Sequence, residues 1–149
     1  MTNPLYDQLF GRHAGQETPF LILSDARVIT HAAFLAQTAQ IAHVLTHAGL
    51  TAGDRLAAQI HKSPQALALY AACAQTGVVF LPLNTAYTAP ELRYFIENSG
   101  ARMVVCDGSA QDTLGPIAAT LSASVETLNA DGSGSLMTQA AAQDRKSVV

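Results

Sequence analysis

From Gly53 onward the chain alternates between two kinds of segment, with strand starts about 23 residues apart, the length of one strand–helix–strand step. RLAAQI, VVFL, MVVC and SVETL read as strands. VVFL is continuous and β-branched, as a strand covered on both faces should be. After the first strand, Ser63 and Pro64 supply a cap and a favoured first helical residue. The helix they open, PQALALYAACAQ, is apolar nearly all round and is therefore expected to be buried. Thr88 and Glu91 form a T-x-x-E capping box for PELRYFIENS, and Gly77 and Gly100 stop their helices. A further helix is expected over about residues 113–121, and a short one after DGSGSLM begins. No matching sequence repeat accompanies the alternation, so the class implied is α/β with a largely parallel sheet, not a solenoid.

The first fifty residues follow another plan. An opening helix is expected from about Pro4 to His13, then a hairpin with strands FLILS and RVI turned at Ser24–Asp25–Ala26. Thr30 caps a helix running to Ala48, in which Phe34, Ile41, Leu45 and Ala48 recur at helical spacing before Gly49. His43 and His47 are four apart, as helical metal ligands can be. They lie opposite that stripe with no third ligand nearby, and read as a solvated face.

Composition narrows the function classes. A net charge of −3 without a basic run argues against a nucleic-acid partner. The longest apolar stretch, Ala66 to Ala74, is far below the ~20 residues that span a membrane. No basic-then-apolar leader opens the chain, and Cys73 and Cys106 lack CxxC spacing, so a cytoplasmic protein with reduced core cysteines is expected.

Candidate chemistry is sparse. GxxxxGKS/T and GxSxG are absent. DGSGSLM stands between a strand and a helix, as a dinucleotide loop would. Met137 occupies the third glycine's place and nothing acidic follows at the right distance, so a flexible turn is expected. Asp25, Asp54, Asp107, Asp112 and Asp131 fall in turns or loops, where short acidic side chains bond the local backbone. In FLPLNTAYTAPEL, Pro82 ends the strand, Asn84 and Thr85 make turns, and Thr88 starts the next helix, so a sharp corner accounts for the stretch. The competing use is a ligand cleft beyond the strand ends lined by Asn84, Thr85 and Tyr87. No catalytic, cofactor-binding or metal-ligating residue is assigned.

GVVFLPLNTAYTAPELRYFIENSGARMVVCD resembles the N-terminal region of the adenylate-forming (AMP-binding) acyl-CoA synthetases. RVITHAAFL is similar to their early L-T-Y-x-E-L motif, and GDRLAAQIHKS to their G-D-x-V strand. LPLNTAYT, VVCD and VETLNADGSGSL resemble the malonyl-CoA synthetases in particular, and the likeness covers about Leu5 to Ala142. His31 replaces the family's usual tyrosine, and Ala33 its glutamate. The second change leaves Thr30 without a capping-box partner, at a cost of ~0.5–1 kcal/mol.

The resemblance implies an acid–thiol ligase. A carboxylate, with malonate as the expected acid, attacks the α-phosphate of MgATP to give an acyl-adenylate and diphosphate. The thiol of coenzyme A then displaces AMP. ATP, magnesium and coenzyme A serve the complete enzyme. The family's Ser/Thr/Gly-rich loop ending Pro-Lys-Gly has no counterpart here, and neither does the lysine of its C-terminal domain. The only lysines are Lys62 and Lys146. Residues 1–143 are thus expected to be an incomplete N-terminal part of the AMP-binding domain, inactive alone and binding none of these molecules. Asp144 to Val149, DRKSVV, match nothing in the family and can be back-translated to the start of a sequencing adapter, so they are expected to be a non-native tail. Such a truncation would strip the apolar helix at Pro64–Gln75 of a partner and leave the chain molten or aggregation-prone. The alternative is a self-contained, non-catalytic α/β binding or regulatory module.

Overall fold

The computed structural model describes residues 3–146. Asn3 accepts the amide of Leu5 and opens α1 (Pro4–Leu9). This helix is shorter than expected because Phe10 leaves helical geometry, at φ −128° and ψ −54°, and Gly11–His13 tightens into a 3₁₀ turn. β1 (Pro19–Ile22) and β2 (Val28–Thr30) form the antiparallel hairpin, with Ala26 in the left-handed region at φ 66°. Thr30 Oγ1 accepts the Ala33 amide at 3.1 Å, the surviving half of the capping box, and starts α2 (His31–His47). Phe34, Ile41 and Leu45 are buried as their spacing predicts. Ala48 is exposed instead, because it lies past the last helical turn as the C-cap.

The alternation then runs β3 (Arg55–Gln59), α3 (Pro64–Thr76), β4 (Val79–Pro82), α4 (Ala89–Ser99), β5 (Met103–Cys106), α5 (Gln111–Thr120), β6 (Ser124–Thr127) and α6 (Ser135–Ala141). All four strands are parallel, in the order β4-β3-β5-β6. Side chains alternate across this sheet. Leu56, Ala58, Met103 and Val105 enter one core with α2, α3 and α6, whereas Ala57, Val104 and Cys106 enter a second core with α4 and α5. Helices therefore cover both faces, which explains the unbroken apolar run of β5. α3 packs between the sheet and α2, while Ala66, Leu67 and Tyr70 on its remaining face stay half-buried beside an open cleft. Of the expected tail, residues 147–149 lie outside the described residues. Within 144–146, the Lys146 carbonyl lies 3.0 Å from His43 Nε2.

Candidate functional site at the carboxyl ends of the strands

The order β4-β3-β5-β6 contains one reversal. The connection after β3 carries α3 over the first face, and the connection after β5 carries α5 over the second. The two loops leave toward opposite faces, which makes the carboxyl ends of β3 and β5 the switch point where open α/β sheets hold ligands, and the open groove at this end lies between the exits of β3 and β4. Ile60, His61 and Lys62 leave β3 on one side of the switch point, and Asp107, Gly108 and Ser109 leave β5 on the other.

Gln59 organises this end of the sheet. It is buried at the end of β3, and its Nε2 donates to the Asn84 carbonyl in the β4 exit at 2.9 Å. Its own carbonyl accepts the Asp107 amide at 3.3 Å, so one residue ties the ends of three strands. The sequence reading passed over it. Its signal was a polar residue closing the apolar run Leu56 to Ala58.

The corner at Asn84 forms as expected. Asn84 Oδ1 accepts the Ala86 amide at 2.9 Å, and the Asn84 carbonyl accepts that of Tyr87 at 3.1 Å. Glu91 accepts both the amide and the hydroxyl of Thr88 at 2.7 Å. Of the three residues proposed to line a cleft, Asn84 and Thr85 do face an open groove, with Ile60, His61, Lys62 and Leu83. Tyr87 does not. It stacks on Phe95 at 5.0 Å against the second core. Beside the groove, an apolar cleft of about 310 Å³ runs under Lys62 between Leu67, Tyr70 and Phe80.

Across the switch point, Asp107 accepts the amide and hydroxyl of Ser109 at 3.0 and 2.7 Å. Those hydrogen bonds hold its carboxyl below the usual carboxylate range, with nearby His61 adding to the effect. Asn129 bridges the neighbouring loop, accepting from Gly108 at 2.8 Å and donating to Ser133 at 2.9 Å. The first four residues of DGSGSLM, Asp131 to Gly134, form a tightly bonded turn that leads into α6. The Ser133 amide goes to Asp131, the Ser135 amide goes to Thr127 Oγ1, and a side chain at Gly134 would strike the Thr127 carbonyl. Among the described residues, no three His, Cys, Asp or Glu side chains come together as a metal site. His43 and His47, with ring centroids 6.1 Å apart, stay a pair away from these strand ends. Cys73 and Cys106 are buried free thiols.

A four-stranded parallel sheet with helices on both faces and a switch point at its strand ends is the N-terminal part of the adenylate-forming enzyme fold. The chain belongs to the AMP-binding enzyme family, which matches residues 11–148. ATP-bound MatB from Rhodopseudomonas palustris is 42% identical, covering 98% of this chain and 29% of that one, with a TM-score of 0.92. The fatty acid–acyl-carrier-protein ligase ScoC of Streptomyces coeruleorubidus is 33% identical over 106 residues, which is 70% of this chain and 20% of that protein. The acetyl-coenzyme A synthetase of Mycolicibacterium smegmatis is 36% identical over 83 residues, 56% of this chain and 9% of that protein. The chain therefore spans under a third of MatB and a fifth or less of these two curated relatives. Among the described residues, no helix is long and apolar enough to cross a membrane.

Proposed function

We propose that this chain is the N-terminal part of an ATP-dependent acyl-CoA synthetase, with malonate as the acid. The observation that carries the reading is the likeness to MatB, a malonyl-CoA synthetase, at 42% identity over nearly the whole chain. The curated relatives are ligases of varied acids, so they support the reaction class more broadly than the substrate. In this reading a malonate oxygen attacks the α-phosphorus of ATP, the bond to diphosphate breaks, and the thiolate of coenzyme A then displaces AMP from the mixed anhydride. Magnesium bound to the nucleotide would offset charge on the transferring group.

The residues of this chain supply the frame. Gln59, Asn84 and the Asp107 turn fix the strand ends, while His61 and Lys62 place an imidazole and an ammonium group at the groove between β3 and β4. Charge stabilisation of the transferring phosphate comes from the loop and lysine that lie in later parts of such enzymes. The 149-residue chain alone is accordingly inactive, because losing even one preorganised donor costs about 10²–10³ in rate.

The test begins with genomic DNA read beyond codon 143. We expect an open frame continuing into a Ser/Thr/Gly-rich loop, and malonate-dependent diphosphate release from its expressed product. A native stop after Val149 would instead favour the self-contained module. An active product that prefers another acid would remove malonate and keep the ligase. Diphosphate release by the 149-residue chain, above a no-enzyme control, would contradict the predicted inactivity.

A further inference from the structure

His31, at the first position of α2, stands where the family usually carries tyrosine. Its ring is held between two others, with the His13 centroid at 4.7 Å and the Phe20 centroid at 4.9 Å. The loop from His13 to Thr18 is fixed to the start of the helix. The Thr18 carbonyl accepts the His31 amide at 3.1 Å, and the Gln16 carbonyl accepts the Ala32 amide at 2.9 Å. That loop also sets the tautomer of both imidazoles. His31 Nδ1 lies 3.1 Å from the Thr18 carbonyl, which can only accept, so Nδ1 carries the proton. His13 Nδ1 lies 3.0 Å from Gln16 Oε1 and donates for the same reason. Each neutral ring then keeps its lone pair on Nε2. The two Nδ1 acceptors belong to Gln16 and Thr18, so both Nε2 atoms point away from one loop. Among the described residues neither Nε2 has a hydrogen-bond partner.

An Nδ1–H tied to an oxygen, with Nε2 left open, is the arrangement of metal-ligating histidines. The spacing agrees. Two imidazoles bound to one ion at ~2.0–2.1 Å have ring centres ~4.5–5.2 Å apart for bond angles of ~90–109°. The observed 4.7 Å lies within that range. We infer that His13 and His31 form a two-histidine site, through Nε2 of each, for a late first-row divalent cation of the Zn²⁺ and Cu²⁺ class, which imidazole suits. The first turn of α2 has no acidic residue, and among the described residues no third His, Cys, Asp or Glu completes a cluster, so water fills the remaining positions. His43 and His47 are the rival pair. Their centroids are 6.1 Å apart, beyond that range, and His43 Nε2 donates to the Lys146 carbonyl at 3.0 Å. The site stands independently of the ligase reading, since neither of its histidines lies at the ends of the parallel strands.

The experiment is a calorimetric Zn²⁺ titration of the 149-residue chain, repeated with His13→Ala, His31→Tyr, the double variant and His47→Ala. Two nitrogens on one ion make a chelate, so either single substitution should weaken Zn²⁺ binding ~100-fold, and the double variant should be at most ~3-fold weaker than the singles. His47→Ala should leave the affinity within ~2-fold of the parent. Nitrogen-15 NMR of the parent supplies a readout that a merely structural role would not move. On Zn²⁺ addition the Nε2 resonances of His13 and His31 should shift, while their Nδ1 resonances keep the protonated signature. Zn²⁺ should also raise the urea midpoint of the parent and not that of the double variant. Where a variant fails to fold, the nitrogen shifts of the parent decide alone. Absence of saturable binding by the parent, affinity that survives either single substitution, losses that add in the double variant, or a loss carried by His47→Ala would each overturn the site.

Discussion

Gly100 and Arg55 offer a quantitative test of the packing at the lower end of the sheet. Gly100 closes α4 in the left-handed region, at φ 60° and ψ 38°. Arg55 reaches across from β3 and donates to the carbonyls of Ser99, Gly53 and Gly100 at 2.6, 2.9 and 3.3 Å. A methyl group at Gly100 would stand 2.8 Å from Arg55 Nη2, so the two residues compete for one space. Arg55→Met keeps the aliphatic stem and removes all three bonds. With the guanidinium partly in solvent, we expect a loss of about 1.5–2 kcal/mol, including its interaction with the helix carboxyl end. Gly100→Ala costs ~1–2 kcal/mol in left-handed strain, less ~0.4–1 kcal/mol from a stiffer unfolded chain. It also forfeits part of the Arg55 bonding. That part is counted twice when the single-variant losses are added, so the double variant should lose about 1 kcal/mol less than their sum. The chain has no tryptophan, so urea unfolding at low micromolar concentration would be followed by far-UV circular dichroism. Additivity within ~0.3 kcal/mol, or an Arg55→Met variant as stable as the parent, would refute the reasoning.

Three further outcomes are expected. Hydrogen bonds from Thr51, Ser109, Ser133 and Thr88 hold the carboxyls of Asp54, Asp107, Asp131 and Glu91 below their ordinary values. Depressed folded values give stability that is present above the unfolded values near ~4 and lost as pH falls through the folded ones. The urea midpoint should therefore hold from neutrality to about pH 5 and drop below about pH 4, and a midpoint that rises on acidification would contradict this. Burial pushes the Cys73 thiol up to about 12 and, with the Asp107 charge adding, the Cys106 thiol up to about 11. Alkylation at pH 8 should then run ~100-fold slower in the native chain than in urea, and equal rates would show an open core. In the complete enzyme, Asn84→Ala should cost about 0.5–1.5 kcal/mol of stability with near-normal ATP affinity. An unchanged melting temperature with a large loss of turnover would move Asn84 from the corner into the chemistry.

What was legible in the sequence is what is local. Ser63–Pro64, Thr88–Glu91, Gly77 and Gly100 declare helix ends because caps act within one turn, and each stands where it was read. β5 was legible because burial on both faces leaves an apolar run in the chain itself, whereas VVFL, expected to be covered on both faces, became the edge strand β4 with Val79 exposed. Strand order was not, since nothing local in MVVC says that it pairs with β3 and not β4. Arg55, Arg102 and Gln59 were missed for the same reason. Arg55 reaches Ser99, Arg102 donates to Asp54 at 2.8 Å and Gln59 reaches Asn84, partners 44, 48 and 25 residues away, and a charged or amide residue beside a strand end looks alike with or without them. Gly134 shows the converse error. Two glycines among serines suggested slack, whereas the glycine is required because the backbone of β6 passes too close for any side chain.

The carboxyl ends of the strands separate residues that build from residues left free to act. Asp107, Asn129, Asp131 and Asn84 all lie at the strand ends, as catalytic groups in such folds do, yet each spends its side chain on a neighbouring backbone amide. Their geometry holds the loops after β4, β5 and β6 in place, and removing any one would first be felt as movement of a loop. Among the described residues here, His61, Lys62 and Thr85 have side chains with no hydrogen-bond partner, and all three face the same groove. The groove sets an ammonium group, an imidazole and a hydroxyl beside an apolar cleft. At these strand ends the polar side chains of Asp107, Asn129, Asp131 and Asn84 are committed to holding the shape of the loops.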